Sequence, residues 1–252
     1  MKYALLIAYD GTHYGGWQIQ KNKITVQQKL EEAAAEVFGK KTSVTASGRT
    51  DSGVHAAGQV CTFFAETSIP AEKLAEAFNM RLPRDISVLK SAAAPQDFDV
   101  IKSAKRKTYC YRFYLSSRRN PLKDRFSAWV KLGADIEKLK HIAGAFVGVH
   151  DFKAYQKSGS DVKTTVREIY SVDVKTRFYR GSQDVEIYVC GNGFLYNMVR
   201  TIAGTMLYFA SGVLSEDDVM RSLNGGDRNS VGKTMPPQGL TLEEVDYGFK
   251  IF

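Results

Sequence analysis

Cysteine is scarce in this chain, with three residues in 252, at positions 61, 110 and 190. They are odd in number and far apart, which argues against a disulfide framework. No CxxC or Cys/His pair has metal-ligand spacing. Buried reduced thiols are the simpler expectation. The four histidines are equally scattered, so no metal site is expected. Apolar runs approaching the ~20 residues that cross a bilayer are missing, so no membrane partner is expected. Residues 1–10 alternate like a strand and lack the zones of a signal peptide, which makes the cytoplasm the expected location. Neither G-x-G-x-x-G nor a P-loop occurs, and no cofactor is expected. What remains is an ordinary globular composition, 44% hydrophobic and 25% charged, long enough for one large domain or two small ones.

Charge is what the chain has in excess. The net formal charge is +8, and it is uneven. Residues 1–104 carry 12 Lys+Arg against 11 Asp+Glu, and residues 105–252 carry 23 against 16. The densest run is 102–125, where Lys102, Lys105, Arg106, Lys107, Arg112, Arg118, Arg119, Lys123 and Arg125 face Asp124 alone. Such a face suits a polyanion, because each neutralised phosphate releases condensed counterions. A solvated surface with no ligand is the competing reading.

Periodicity divides the chain into two similar halves, 1–104 and 105–252. The first reads as a strand over 2–10, a helix over 25–38 capped by Thr25 and ended by Gly39, and strands over 42–46 and 59–65. A helix opened by Pro70, with Leu74, Phe78 and Leu82, and a strand over 86–92 complete it. The second reads as a strand over 107–115, a helix over 135–146, strands over 166–178 and 185–190, and an apolar helix over 194–209. A short helix over 215–223 and a strand over 240–247 close it. Both follow β-α-β-β-α-β order, so the expected fold is α+β with two ferredoxin-like halves that pack as one body and leave a cleft between them, a common place for a ligand site.

The segment Ser47-Gly48-Arg49-Thr50-Asp51-Ser52-Gly53-Val54-His55-Ala56 is the most informative. Two glycines bracket Arg-x-Asp between predicted strands, where they can hold a tight turn. Arg49 and Asp51 sit two apart, so in extended chain they point the same way. A guanidinium beside a carboxylate favours its ionised form, which suits a nucleophile or base. From residue chemistry alone, an Asp51 that caps backbone amides in a turn is the simpler reading.

Residues 48–56 closely resemble the signature of the TruA-type family of tRNA pseudouridine synthases. Further blocks follow in family order: Tyr9-Asp10-Gly11-Thr12 with Tyr14-x-Gly16-Trp17-Gln18, Thr25-Val26-Gln27, Lys107-Thr108-Tyr109-x-Tyr111, Gly193-Phe194-Leu195-Tyr196-Asn197-Met198-Val199-Arg200, and Pro236-Pro237-Gln238-Gly239-Leu240. They span nearly the whole chain. The resemblance implies that Asp51 is catalytic and that Arg49 beside it helps hold RNA with a base turned out. It implies that Tyr109 packs on the uracil, with a candidate part in the proton step at C5. Arg200 would keep Asp51 ionised, and Leu240 would pack against the base. It also implies that the antiparallel sheets of the two halves join around a central RNA-binding cleft, and it implies a homodimer and a tRNA partner, with uridines 38, 39 and 40 of the anticodon arm as targets. The chain departs from the family's aromatic-x-Ala-Arg-aromatic segment, reading Phe98-Asp99-Val100-Ile101-Lys102. Trp17 and Tyr14 fix the first loop or touch RNA.

Three rivals share parts of this pattern. A non-catalytic pair of RRM-like units fits the fold and charge, but residues 59–65 lack an RNP motif. A related synthase acting on another RNA is the second, and a small-molecule enzyme the third.

Overall fold

The computed structural model describes residues 1–131, 133–157 and 162–252. Among these residues the chain is α+β, with ten strands, mostly antiparallel, and five α-helices. Two compact units emerge from its contacts. The first is Met1–Lys105 with Thr241–Phe252, and the second is Arg106–Leu240.

In the first unit, β1 (Lys2–Tyr9) lies between β3 (His55–Phe64) and β4 (Ile86–Ala93), antiparallel to both. The other edge of β3 is shared. The short β2 (Thr45–Ala46) pairs with Thr62 and Cys61, while β10 (Leu240–Asp246) runs parallel at Thr241–His55 and Leu242–Ala56. α1 (Val26–Phe38) starts where the Thr25 hydroxyl accepts from Gln28 N–H at 3.3 Å, and ends at left-handed Gly39 (φ 68°). Both ends follow the capping rules that the sequence displays. α1 buries Val26, Leu30, Ala33 and Ala34. α2 (Leu74–Asn79) buries Leu74 and Phe78. Phe38, Phe63 and Phe78 form an aromatic cluster with centroids 5.5–6.0 Å apart.

The second unit orders its strands β5-β9-β8-β7, all antiparallel, from β5 (Arg106–Leu115), β9 (Ser182–Gly191), β8 (Val166–Tyr179) and β7 (Gly148–Asp151). β6 (Ala128–Val130) runs parallel to β5. Three helices complete it: α3 (Ile136–Ala143), α4 (Met198–Ala210) and α5 (Glu216–Ser222). α4 is buried along most of its length, as its apolar sequence requires. A side chain at Gly204 would overlap the Lys233 carbonyl, so the backbones cross there in direct contact.

Several expectations need correction. α4 begins at Met198, not 194, because Asn197 takes a left-handed conformation (φ 67°) that interrupts helical geometry. α2 is shorter than 70–82 and is preceded by a 3-10 turn, Ala71–Lys73. Strands β6 and β7 were not foreseen. The strand at 240–247, read as closing the second half, lies by its contacts with the first unit from Thr241 onward.

Candidate functional site

The loop around Asp51 leaves β2 and enters β3, and neighbouring residues of the first unit fix it at almost every step. Buried Gln59 on β3 accepts from the Ser47 hydroxyl (2.6 Å) and donates to the Gly48 carbonyl (2.9 Å). The Tyr9 hydroxyl bonds the Thr50 hydroxyl at 2.7 Å inside the core, and burial pushes the Tyr9 phenol pKa well up. Residues 14–17 clasp the other side. Trp17 N–H donates to Thr50 C=O (3.0 Å), and Gly53 N–H and the Ser52 hydroxyl both donate to Tyr14 C=O (3.3 and 3.2 Å). The Val54 N–H returns to the Asp51 carbonyl at 3.1 Å, closing a turn through left-handed Gly53 (φ 80°). His55 Nδ1 sits 3.0 Å from the Gly11 amide and 3.1 Å from Asp10 Oδ1.

This clasp explains the small residues. Gly16 is left-handed (φ 93°), and a Cβ there would lie 2.5 Å from the Thr50 carbonyl oxygen. Trp17 and Tyr14 are buried, and the Tyr14 hydroxyl donates to Asp85 at 2.6 Å. Their place is therefore in fixing the loop. The bracketed sequence thus folds into a rigid turn. Arg49 is exposed, Thr50 buried and Asp51 half-buried. The two charged residues flank the buried Thr50.

The other three residues singled out from the sequence belong to the second unit. Tyr109 on β5 is buried and meets Phe194 edge-to-face, at 5.2 Å between centroids and 84°. Gly191 stands in the strand beside Phe194, and a Cβ on it would press on Ile169 and on that ring. Arg200, on the first turn of α4, is half-buried. Its Nε donates to Met235 C=O and its Nη1 to Asn197 Oδ1, both at 2.7 Å. Leu240 is buried and follows the 3-10 turn Pro237–Gly239. Tyr111 braces that turn by donating its hydroxyl to Pro236 C=O at 2.8 Å. Lys107 lies two residues before Tyr109 on β5. Burial lowers its ammonium pKa.

The basic run 102–125 is in part neutralised where it lies. Arg119 pairs with Asp124, Lys123 with Asp184, and Arg112 with Glu186 (2.9 Å for the last). Two of the cysteines, Cys61 and Cys110, are buried as expected, whereas Cys190 is partly exposed. At the departure from the family segment, Ile101 and Lys102 are exposed, and their amides are bound by Asp99 Oδ1 at 2.9 and 3.0 Å. No helix among the described residues is long and apolar enough to cross a membrane.

A family model described as tRNA pseudouridine synthase matches residues 5–101 and 142–248. The tRNA pseudouridine synthase A of Ruminiclostridium cellulolyticum is 43% identical over 98% of this chain and 99% of its own length. That of Geotalea uraniireducens is 44% identical over 96% of this chain and 98% of its own. A solved Cbf5-Nop10-Gar1 complex shares 11% identity, with a TM-score of 0.35, over 96% of this chain and 58% of that one. With a family model matched on both sides of the chain and relatives of this identity along nearly all of it, the chain belongs to the tRNA pseudouridine synthase family.

Proposed function

We propose that the chain converts uridine to pseudouridine in tRNA with Asp51 as its essential catalytic residue, and that its targets are uridines 38, 39 and 40 of the anticodon arm. Family membership makes it an isomerase acting on tRNA. The observation that carries the Asp51 assignment is the clasped loop, which holds one half-buried carboxylate beside Arg49 on a backbone bonded from both sides.

The chemistry asks for little more than such a group. The C1′–N1 bond of uridine breaks, the uracil turns, and C5 bonds to C1′. N1 gains a proton and C5 loses its own, so the product is an isomer. A stacked base is out of reach and must first be turned out. Asp51 is the ionised group that attacks the sugar or base or removes a sugar proton. Tyr109 and Leu240 supply flat and apolar walls for the uracil, Tyr109 with a candidate part in the proton step. Arg49 holds the RNA, and Arg200 supplies the cation that keeps the carboxylate charged.

The finer fold belongs to this proposal. The strand order β4-β1-β3-β2 around α1 and α2 supports a ferredoxin-like first half, and the succession β5-α3-β8-β9-α4 supports the same plan for the second. A homodimer and a cytoplasmic location follow from the family resemblance. Light scattering that gave a monomer at micromolar concentration would remove the dimer.

The deciding test is tritium release from tRNA transcripts labelled at uracil C5. Wild type should release it, and Asp51→Asn should fall by about 10³-fold or more while still binding tRNA. Release from transcripts with uridine kept only at 38, 39 or 40 assigns the target. Wild-type rates from Asp51→Asn would end its catalytic role, and binding without release by either protein would favour the RNA-binding module.

A further inference from the structure

We propose that a basic concavity on the second unit, lined by Lys153, Lys157, Lys163 and Arg228, grips the phosphate backbone of the tRNA away from the target nucleotide. The inference rests on the tRNA reading above. The concavity forms where residues 151–157, 162–165 and 225–228 converge. All four cations are exposed, and among the described residues none lies within ion-pair distance of a carboxylate. This contrasts with the run 102–125, whose charges are in part paired. Among the described residues two carboxylates share the lining, and both are occupied as caps of local turns. Asp151 Oδ1 accepts from Lys153 N–H (3.0 Å) and the Thr165 hydroxyl (2.5 Å), and Asp227 accepts from the backbone and side-chain amides of Asn229.

The chemistry of the lining selects the ligand. Three flexible lysines act as point charges that suit single phosphates spaced along a strand. Thr164 adds a hydroxyl, and among the described residues the lining holds no aromatic side chain on which a base could stack. Such a surface positions a backbone without reading sequence. Its location fits a substrate already engaged nearby. Lys157 N–H donates to Tyr196 C=O at 3.1 Å, and its ammonium lies 5.4 Å from that ring. The next residue, Asn197, is the one that holds Arg200. The concavity therefore abuts the segment that carries Arg200, and RNA flanking a uridine bound at the proposed site meets it.

The test is tRNA binding by fluorescence anisotropy across a salt series, with wild type, the triple variant Lys153→Gln/Lys157→Gln/Lys163→Gln, and the charge-matched control Lys29→Gln/Lys40→Gln/Lys73→Gln. The control lysines each pair with a carboxylate in the first unit. Arg228 is kept because it also ties Gly232 C=O and the Thr234 hydroxyl. The groove variant should bind about tenfold or more weakly near 100 mM salt, with the log–log salt slope shallower by about 2. The control should match wild type, and Lys153→Arg/Lys157→Arg/Lys163→Arg should restore binding. An unchanged Kd and slope, or equal losses in groove variant and control, would overturn the proposal. Binding needs no turnover. A groove defect beside a wild type that releases no tritium would therefore uphold the concavity and fell the synthase reading alone.

Discussion

Gly16→Ala tests whether the clasp, and not merely the presence of Asp51, sets the activity. The residue has φ 93°, where a Cβ costs about 1–2 kcal/mol. The new methyl would sit 2.5 Å from the Thr50 oxygen, 3.0 Å from the Asp51 carbonyl carbon and 3.1 Å from the Ser52 nitrogen. All three are backbone atoms, so no rotamer change relieves the overlap, and one loop must retreat by roughly 1 Å to reach ordinary contact distance. The Trp17 N–H to Thr50 C=O bond, 3.0 Å in the native loop, then weakens by about 1 kcal/mol. The sum is roughly 2–3 kcal/mol of stability. A shift of that size at a reacting group costs about 10²-fold in rate. Gly39→Ala is the matched control. It has φ 68°, but nothing lies within 4 Å of its Cβ. It should lose about 1 kcal/mol at the α1 terminus and no activity. Urea unfolding and single-turnover tritium release on both variants decide the matter. Gly16→Ala with Gly39→Ala-like stability and rates within threefold of wild type would refute the clasp argument.

Three further predictions follow from contacts described above. Tyr9→Phe removes the partner of the buried Thr50 hydroxyl and should destabilise by about 1–2 kcal/mol, with Thr50→Val added on top costing less than it does alone; additive losses in urea unfolding would show that the pair is not coupled. Arg200→Lys can keep only one of the two guanidinium bonds, a loss of about 1.5–3 kcal/mol, so kcat/KM should fall roughly ten- to a hundredfold; a fall under twofold would remove Arg200 from the machinery. Lys107 has its folded-state pKa lowered by burial, so the folded protein gives up this proton before the unfolded chain does. Its contribution to stability therefore rises with pH between the lowered folded value and the ordinary lysine value. Lys107→Met should lose this rise in urea unfolding followed against pH; identical pH slopes for the two proteins would contradict the sign.

The sequence exposed those parts of the fold that local physics decides. The caps of α1 at Thr25 and Gly39 were readable because both act within one turn of the helix. The start of α4 was not, since Phe194, Leu195, Met198 and Ile202 keep helical spacing straight through the left-handed Asn197. Strands β6 and β7 carry no alternation of their own and exist through pairing with β5 and β8. The Asp51 loop stood out through its bracketing glycines, but its clasp did not. Gly16 and Thr50 are far apart in the chain, and only the fold shows why one must be glycine. The same separation hid the basic concavity, whose cations are spread from 153 to 228, while local charge density pointed to 102–125.

The first unit is interrupted in sequence by the whole of the second. β10 lies against the start of β3, where the Asp51 loop ends, and a side chain at Gly58 would strike the Glu243 carbonyl. Tyr247 then packs on Phe98 and donates its hydroxyl to Val100 C=O at 2.9 Å. These residues leave the ribosome after everything in the second unit. A nascent chain that already carries Asp51, Tyr109 and Arg200 still lacks the strand that backs the loop. Competence thus waits for β10 to be translated, and a chain cut short before Thr241 would be left with Asp51 on an unsupported loop.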